Sequence, residues 1–256
     1  MFSTLTFLKK EFKEIRRTYK MWVVPLIFLF FGFLSPVVVK VLPDLLKPQL
    51  EAQKIFIDIP TPRAVDSFLQ YFKNLAQIGM LAVILVSMGL VSEEKAKGTL
   101  ALVLTKPVSR AQVIISKFLA QTFLVLGSII LGGVACYLYT IILFEKTNFS
   151  KFTQGTFLYL VYSVLVIGIT LFFSTLFSNQ IAAGGLSLLT LFVMSLFPSI
   201  TESFARYSPG ALTSFANKIV SGDSAFSEAI WPASSAITLL IILLSLSVLS
   251  FNRQEL

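Results

Sequence analysis

Six long apolar segments restrict this chain to folds that cross a membrane several times. They are residues 21–41, 74–91, 117–144, 155–177, 181–200 and 233–251, and charged side chains stand only at their ends. Each is close to the roughly 20 residues that a helix needs to cross the hydrocarbon core. With 55% hydrophobic residues, the 256-residue chain has more apolar surface than a soluble domain buries. We therefore predict an all-α polytopic membrane protein with six transmembrane helices, formed as one domain over residues 1–256.

The N-terminal segment, residues 1–20, has the pattern of a basic amphipathic helix. Its apolar residues Leu5, Leu8, Phe12 and Ile15 recur three and four positions apart. Its basic residues are Lys9, Lys10, Lys13, Arg16, Arg17 and Lys20. This pattern favours a helix lying among lipid headgroups. The alternative is a basic flank that only orients the first span.

Two further segments are predicted to lie on the outer side. Residues 42–73 contain Pro43, Pro48, Pro60 and Pro62, which indicate a loop, and then an amphipathic helix that continues into the second span. Residues 201–232 are predicted to form re-entrant or interfacial helices, with a helix that starts after Ser208-Pro209 and stops at Gly222.

The distribution of lysine and arginine predicts the orientation. The N-terminal segment, residues 92–116 with Lys117, and the C-terminal tail together hold twelve of these residues, and the opposite side holds nine. The dense basic segment before the first span decides the orientation, because such residues stay inside. Both termini and residues 92–116 are then cytoplasmic, and the expected location is the cell membrane of a bacterium.

Composition excludes several classes of function. The chain has no histidine and one cysteine, Cys136, inside an apolar segment, so we expect no catalytic residues, no metal site and no disulfide. The formal net charge is +8, but the basic residues flank apolar segments. That placement favours anionic membrane lipids as partners over nucleic acid.

The cytoplasmic segment, residues 92–116, contains signals for two short helical starts. Ser92 can cap a helix whose first turn carries Glu93 and Glu94. Gly98 indicates a bend or a close backbone contact, and Pro107 disfavours helix at the residue before it. Ser109 and Gln112 then have the spacing of a capping box. A hairpin that merely rests on the membrane would show the same signals.

The same segment resembles the cytoplasmic signature of ABC-2 type transporter permeases. The resemblance lies in an acid followed by Gly-Thr-Leu at residues 94–100 and in Thr-x-Pro-Val-Ser-Arg at residues 105–110. The six-span layout and the basic N-terminal helix are also similar to that family. The chain departs from the family at Ala101 and Gln112, where the family often has an acid.

The resemblance implies a permease subunit that works with a cytoplasmic ABC ATPase subunit and a second permease chain, identical or related. Residues 92–116 would be the cytoplasmic coupling region, and the N-terminal helix would dock on the ATPase through Lys9, Lys10, Lys13, Arg16 and Arg17. The implied coupling residues are Glu93, Glu94, Lys95, Lys97, Gly98, Thr99, Leu100, Val103, Thr105, Pro107, Ser109 and Arg110.

No cofactor is expected on this chain, because it lacks the G-x-x-x-x-G-K-[ST] phosphate loop. ATP and Mg²⁺ would be bound by the ATPase subunit. The central parts of the spans hold no ionisable carrier for protons or ions, which favours export of a hydrophobic or amphipathic peptide, lipid or drug-like molecule.

Two other classes of function are open to the sequence. One is an intramembrane enzyme, which would need a nucleophile activated by a base or a metal. The other is a channel or scaffold that works without an ATPase.

Overall fold

The computed structural model describes residues 4–52, 61–99, 109–144 and 147–254. Over these ranges the chain is helical and contains no strand. Six helices are long and apolar enough to cross a membrane, which confirms the predicted number. They are Lys20–Leu45, Ala64–Ala96, Arg110–Phe144, Phe149–Leu176, Gln180–Ser199 and Phe226–Asn252.

The α-helices are numbered in chain order. They are α1 (Thr4–Arg17), α2 (Lys20–Ala52), α3 (Ala64–Asn74), α4 (Met80–Ser87), α5 (Ser92–Ala96), α6 (Arg110–Phe144), α7 (Phe149–Leu176), α8 (Gln180–Leu196), α9 (Glu202–Tyr207), α10 (Ala211–Ser221) and α11 (Ile230–Asn252). A π-helical segment, Leu75–Gly79, joins α3 to α4. Two 3₁₀ segments, Phe197–Ser199 and Phe226–Ala229, follow α8 and precede α11.

The first span is longer than predicted. Helix α2 continues to Ala52 through Pro36, Pro43 and Pro48, so the outer loop does not begin at residue 42. A proline removes its own backbone hydrogen bond and bends the helix, but the neighbouring bonds remain. Helix α2 packs along α6 in the part before this extension, where Lys40 Nζ lies 5.4 Å from the centre of the Phe144 ring. Leu42 and Leu45, in the extension itself, are exposed.

The second span is continuous with the amphipathic helix before it, as predicted. Helix α3 passes through the π-helical segment into α4, and the whole run from Ala64 to Ala96 is long enough to cross the membrane. The π-helical segment was not predicted. Helix α10 also matches its prediction, since it ends at Gly222 with a left-handed φ of 96°.

The core is built around α7, which contacts α4, α6, α8, α10 and α11. Beside it, α2 and α6 cross at very close range. A Cβ atom placed on Gly132 would lie 2.5 Å from the carbonyl oxygen of Phe28. This close crossing fixes α6, whose N-terminal part carries the site described next.

Candidate functional site

The candidate site lies where α1, α5 and the start of α6 meet. Helix α5 is short because the second span breaks in a turn over residues 88–91. A break near Ser92 was predicted, but Ser92 is not the cap. The N-cap residue is Val91, and the Ser92 hydroxyl donates to the carbonyl oxygen of Met88 at 2.8 Å.

The backbone N–H groups at the start of α5 find their hydrogen-bond acceptor in a residue of another helix. The Ser174 hydroxyl oxygen, on α7, accepts hydrogen bonds from the backbone N–H groups of Val91 and Ser92, each at 3.0 Å. Ser174 also donates to the carbonyl of Met88 at 2.9 Å. A helix start has N–H groups without partners inside the helix, and here a tertiary contact provides the acceptor. The local sequence holds no signal for Ser174.

Gly98 follows the end of helix α5 and has a left-handed φ of 66°. No described residue lies within 4 Å of the position where a Cβ would stand, and the left-handed backbone favours glycine for the bend here. Thr99 is exposed just after it. The predicted coupling residues Leu100, Val103, Thr105 and Pro107 lie outside the described residues.

The capping box predicted at the start of α6 is confirmed. The Gln112 backbone N–H donates to the Ser109 hydroxyl at 3.2 Å, and the Ser109 N–H donates to Gln112 Oε1 at 3.1 Å. Next to it, the Arg110 guanidinium donates to the carbonyls of Phe251 and Gln254, at 2.5 and 2.8 Å. The structure thus places Arg110 against the C-terminal end of α11, where a cation also complements the helix dipole.

A buried ion cluster holds the three helices together. Its central residue is Lys117 on α6, whose side chain is 3% exposed. Lys117 Nζ lies 2.8 Å from Glu94 Oε1 on α5 and 3.4 Å from Glu11 Oε2 on α1. Removing one member of such a buried pair typically costs about 3–5 kcal/mol, because the other charge is left without a partner.

Lys10 adds a second cation to the same cluster. Its ammonium lies 3.0 Å from Glu11, 3.1 Å from Glu14 and 3.5 Å from Glu94. Burial lowers the pKa of Lys10, but the charges of Glu11 and Glu94 outweigh burial and raise its pKa overall. Burial likewise raises the pKa of Glu14, but the Lys10 hydrogen bond and the charge of Lys117 leave it below its usual value. Both groups are therefore charged at neutral pH.

The other predicted site residues lie at the edge of this cluster or away from it. Glu93 and Lys97 form an exposed ion pair of 2.6 Å. Lys95 donates to the carbonyl of Thr175 on α7. The remaining basic residues of α1 are exposed and form no ion pair within the described ranges; they are Lys9, Lys13, Arg16 and Arg17.

Sequence reasoning missed the importance of Glu11, Glu14 and Lys117. A signal for Glu11 existed, since it lies between Leu8 and Phe12 on the apolar stripe of α1, where an acid is buried when the helix packs. Its partner could not be read from the sequence, because Lys117 is 106 residues away.

The carboxylate oxygens of the cluster could bind a metal ion, but lysine ammonium groups already lie close to them. Carboxylate oxygens of Glu11, Glu14 and Glu94 lie within 4.8 Å of one another, a spacing that could hold a cation. Lys10 and Lys117 place ammonium groups within 3.5 Å of these carboxylates. The arrangement is therefore a charged joint, in which buried ion pairs connect α1 and α5 to α6.

Comparison with known proteins agrees with this architecture. Residues 5–256 match the family described as ABC-2 family transporter protein. The chain is also similar to the uncharacterized transmembrane protein YxlG of Bacillus subtilis (strain 168). The two are 28% identical over 259 residues, which covers 98% of each chain.

Proposed function

The chain belongs to the ABC-2 family of transporter proteins as a membrane permease subunit, and from this premise we propose that it works in an ATP-driven exporter with a separate ATPase subunit. In this proposal both termini and α5 are cytoplasmic, and α1 and α5 contact the ATPase. ATP and Mg²⁺ bind to the ATPase, and a second permease chain, identical or related, completes the membrane part.

The observation that carries the proposal is the buried joint of Lys117 with Glu94 and Glu11. It connects the two elements expected to touch an ATPase, α1 and α5, to the start of a membrane-spanning helix. An exposed hairpin resting on a membrane has no need of such a joint. A helix that must pass a displacement into the membrane does need one.

The energy scale of the joint suits this role. Moving a two-state protein from 1:99 to 99:1 requires a differential interaction of about 5.5 kcal/mol. Displacing α5 without α6 would separate Glu94 from Lys117, a loss of about 3–5 kcal/mol for a buried pair. Helix α6 therefore follows α5, and contacts with a closing ATPase pair would supply the free energy.

The spans favour a hydrophobic or amphipathic cargo. Their central parts contain no acid or base that could carry a proton or an ion. The proposed substrates are a peptide, a lipid or a drug-like molecule, moved out of the cell.

The proposal is tested by co-purifying the chain with its ABC ATPase subunit and measuring ATP turnover in vesicles. Reversal of one charge in Glu94→Lys is expected to uncouple turnover from substrate. Adding Lys117→Glu restores an opposite-charge pair and is expected to recover part of the coupling. Reversal of the exposed charge in Lys97→Glu is the matched control and is expected to have a much smaller effect.

Two results would contradict the proposal. One is unchanged ATPase binding and substrate-stimulated turnover in both Glu94→Lys and Pro107→Gly. The other is labelling of Lys97 from outside the cell, which would place α5 on the side away from any cytoplasmic ATPase.

A further inference from the structure

A cavity lies beside the ion cluster, between α1, the first residues of α2, α5 and α6. Its volume is about 550 Å³. The side chains around it are strongly charged, but Ile15 and Leu90 give it an apolar part. The joint between Lys117 and Glu94 forms one wall and does not fill this space.

Polar atoms at this cavity lack partners. Gln121 on α6 is 0% exposed, and neither its amide oxygen nor its amide nitrogen has a hydrogen-bond partner within the described part of the chain. Glu94 Oε2 is also buried there, with no hydrogen-bond partner among the residues that the structure describes. Buried polar groups are nearly always hydrogen-bonded. A side-chain amide whose oxygen and nitrogen both lack partners therefore points to a ligand that offers both a donor and an acceptor.

Charges of both signs line the cavity. Three carboxylates, Glu11, Glu14 and Glu94, share the two ammonium groups of Lys10 and Lys117, which leaves one negative charge in excess. Lys20, the first residue of α2, also lines the cavity and forms no ion pair with any described residue. The exposed pair of Glu93 and Lys97 adds no net charge. The cavity therefore matches a molecule with a positive and a negative end.

We propose that this cavity binds the ethanolamine phosphate headgroup of a phospholipid from the membrane leaflet in which α1 lies. The primary ammonium donates to Glu94 Oε2 and to the amide oxygen of Gln121. The phosphate forms an ion pair with the Lys20 ammonium and accepts a hydrogen bond from the amide N–H of Gln121. Hydrogen bonds to charged groups are the stronger class of hydrogen bond, and an ammonium has three donors for this acidic wall.

The position of Lys20 favours a lipid as the source of the headgroup. Lys20 directly precedes the charge-free segment of the first span, at the depth where headgroups lie. The apolar side chains of Ile15 and Leu90 can adjoin the glycerol end of the same molecule. A bound headgroup would bridge α1, α2, α5 and α6, so membrane composition would influence the proposed joint.

The test uses the purified full chain in detergent, with lipid binding measured by native mass spectrometry. The lipids offered separately are phosphatidylethanolamine, phosphatidylglycerol and phosphatidylcholine. We expect preferred binding of phosphatidylethanolamine, weakened about tenfold by Gln121→Leu and by Lys20→Gln. The matched controls are Gln154→Leu, a half-buried glutamine at the other end of the bundle, and Lys40→Gln, near the other end of the first span. Both controls are expected to bind as the unchanged chain does.

Each other outcome overturns the proposal. Equal binding of the three lipids, or binding that neither cavity variant weakens, would exclude a headgroup site. Displacement of the lipid by soluble O-phosphoethanolamine at matched concentration would identify a free phosphoamine as the ligand. Binding of Mg²⁺ or Ca²⁺ alone, lost in Gln121→Leu, would identify a cation site. Lys20→Gln decides the result if Gln121→Leu does not fold. No ATPase is needed, so this proposal can fail while the transport proposal stands.

Discussion

Replacing Lys117 by methionine tests whether the ion cluster holds α1 and α5 against the third span. Methionine keeps most of the side-chain length and removes the charge. Among the described residues it would leave Glu94 and Glu11 with Lys10 as their one cation within 4.0 Å, and the Lys10 side chain is 42% exposed. We expect a loss near the lower end of the 3–5 kcal/mol typical for breaking a buried pair, since Lys10 compensates in part. A loss of about 3 kcal/mol corresponds to about a hundredfold shift toward the undocked state.

Docking of α1 is measured by cross-linking it to α6. The rings of Phe12 and Phe123 lie 5.8 Å apart, so cysteines at these two positions can be joined by a short bismaleimide. A Cys136→Ala background leaves the introduced pair as the reactive thiols. We expect Lys117→Met to lower the cross-linking rate and the unfolding temperature together.

The control is the exposed ion pair of Lys97 and Glu93, which lies beside Glu94 on the same short helix. Lys97→Met removes the partner of Glu93, but both side chains are largely in solvent, where ion pairs contribute little. The double variant Lys117→Met with Glu94→Gln removes both charges of the buried pair and should recover much of the loss. If Lys117→Met and Lys97→Met had the same small effect, the cluster would not be the joint that we describe.

Three other predictions concern packing, capping and pH. Gly132→Ala should lower the stability by about 1–3 kcal/mol in a denaturant melt, because its Cβ meets backbone at 2.5 Å. Gly127→Ala on the same helix should be neutral or stabilise by up to about 1 kcal/mol, because no described residue lies within 4 Å of the position of its Cβ. Ser174→Ala should speed hydrogen exchange at the two N–H groups that begin α5, at an expected cost of about 1–3 kcal/mol; unchanged exchange would contradict this. The pKa of Glu14 is lowered by the Lys10 hydrogen bond and the Lys117 charge despite burial, so its contribution to docking is full above its ordinary pKa of 4.5 and lost as pH falls below it. Burial lowers the pKa of Lys10, but nearby acids raise it overall, so its contribution is full below 10.5 and lost at higher pH. An unfolding temperature that increased as the pH fell below 4.5, or as it went above 10.5, would refute the corresponding sign.

The membrane spans and several helix ends could be predicted from the sequence because their signals are local. Apolar length determines where a helix can cross a bilayer, and the capping box at Ser109 needs only residues three positions apart. Gly98 and Gly222, which adopt a left-handed backbone, are local signals of the same kind, because a glycine favours a bend or the end of a helix. The continuation of α2 to Ala52 does not follow from such local signals, because Pro43 and Pro48 are equally typical of a loop.

The site itself was only partly predictable. The motif identified Glu94 but gave no partner, since Lys117 lies 23 residues along the chain and on another helix. The same motif included Arg110 among residues that would face an ATPase. In the structure its guanidinium contacts the end of α11, a contact across 141 residues that no local pattern encodes. Charged side chains that meet through tertiary packing therefore need the fold before their roles can be assigned.

A charged joint suits a moving element better than an apolar one of similar size. Apolar surfaces can slide past each other while most of their buried area is kept, because hydrophobic attraction has no direction. Lys117 and Glu94 instead lose their interaction once they separate, and each carries a desolvation penalty while it lacks a partner. Positions of α5 between two well-paired arrangements are therefore disfavoured, even though the pair itself adds little net stability. Under the proposed function, this would make the response of α6 to the ATPase all-or-none, and Lys117→Met should make it gradual.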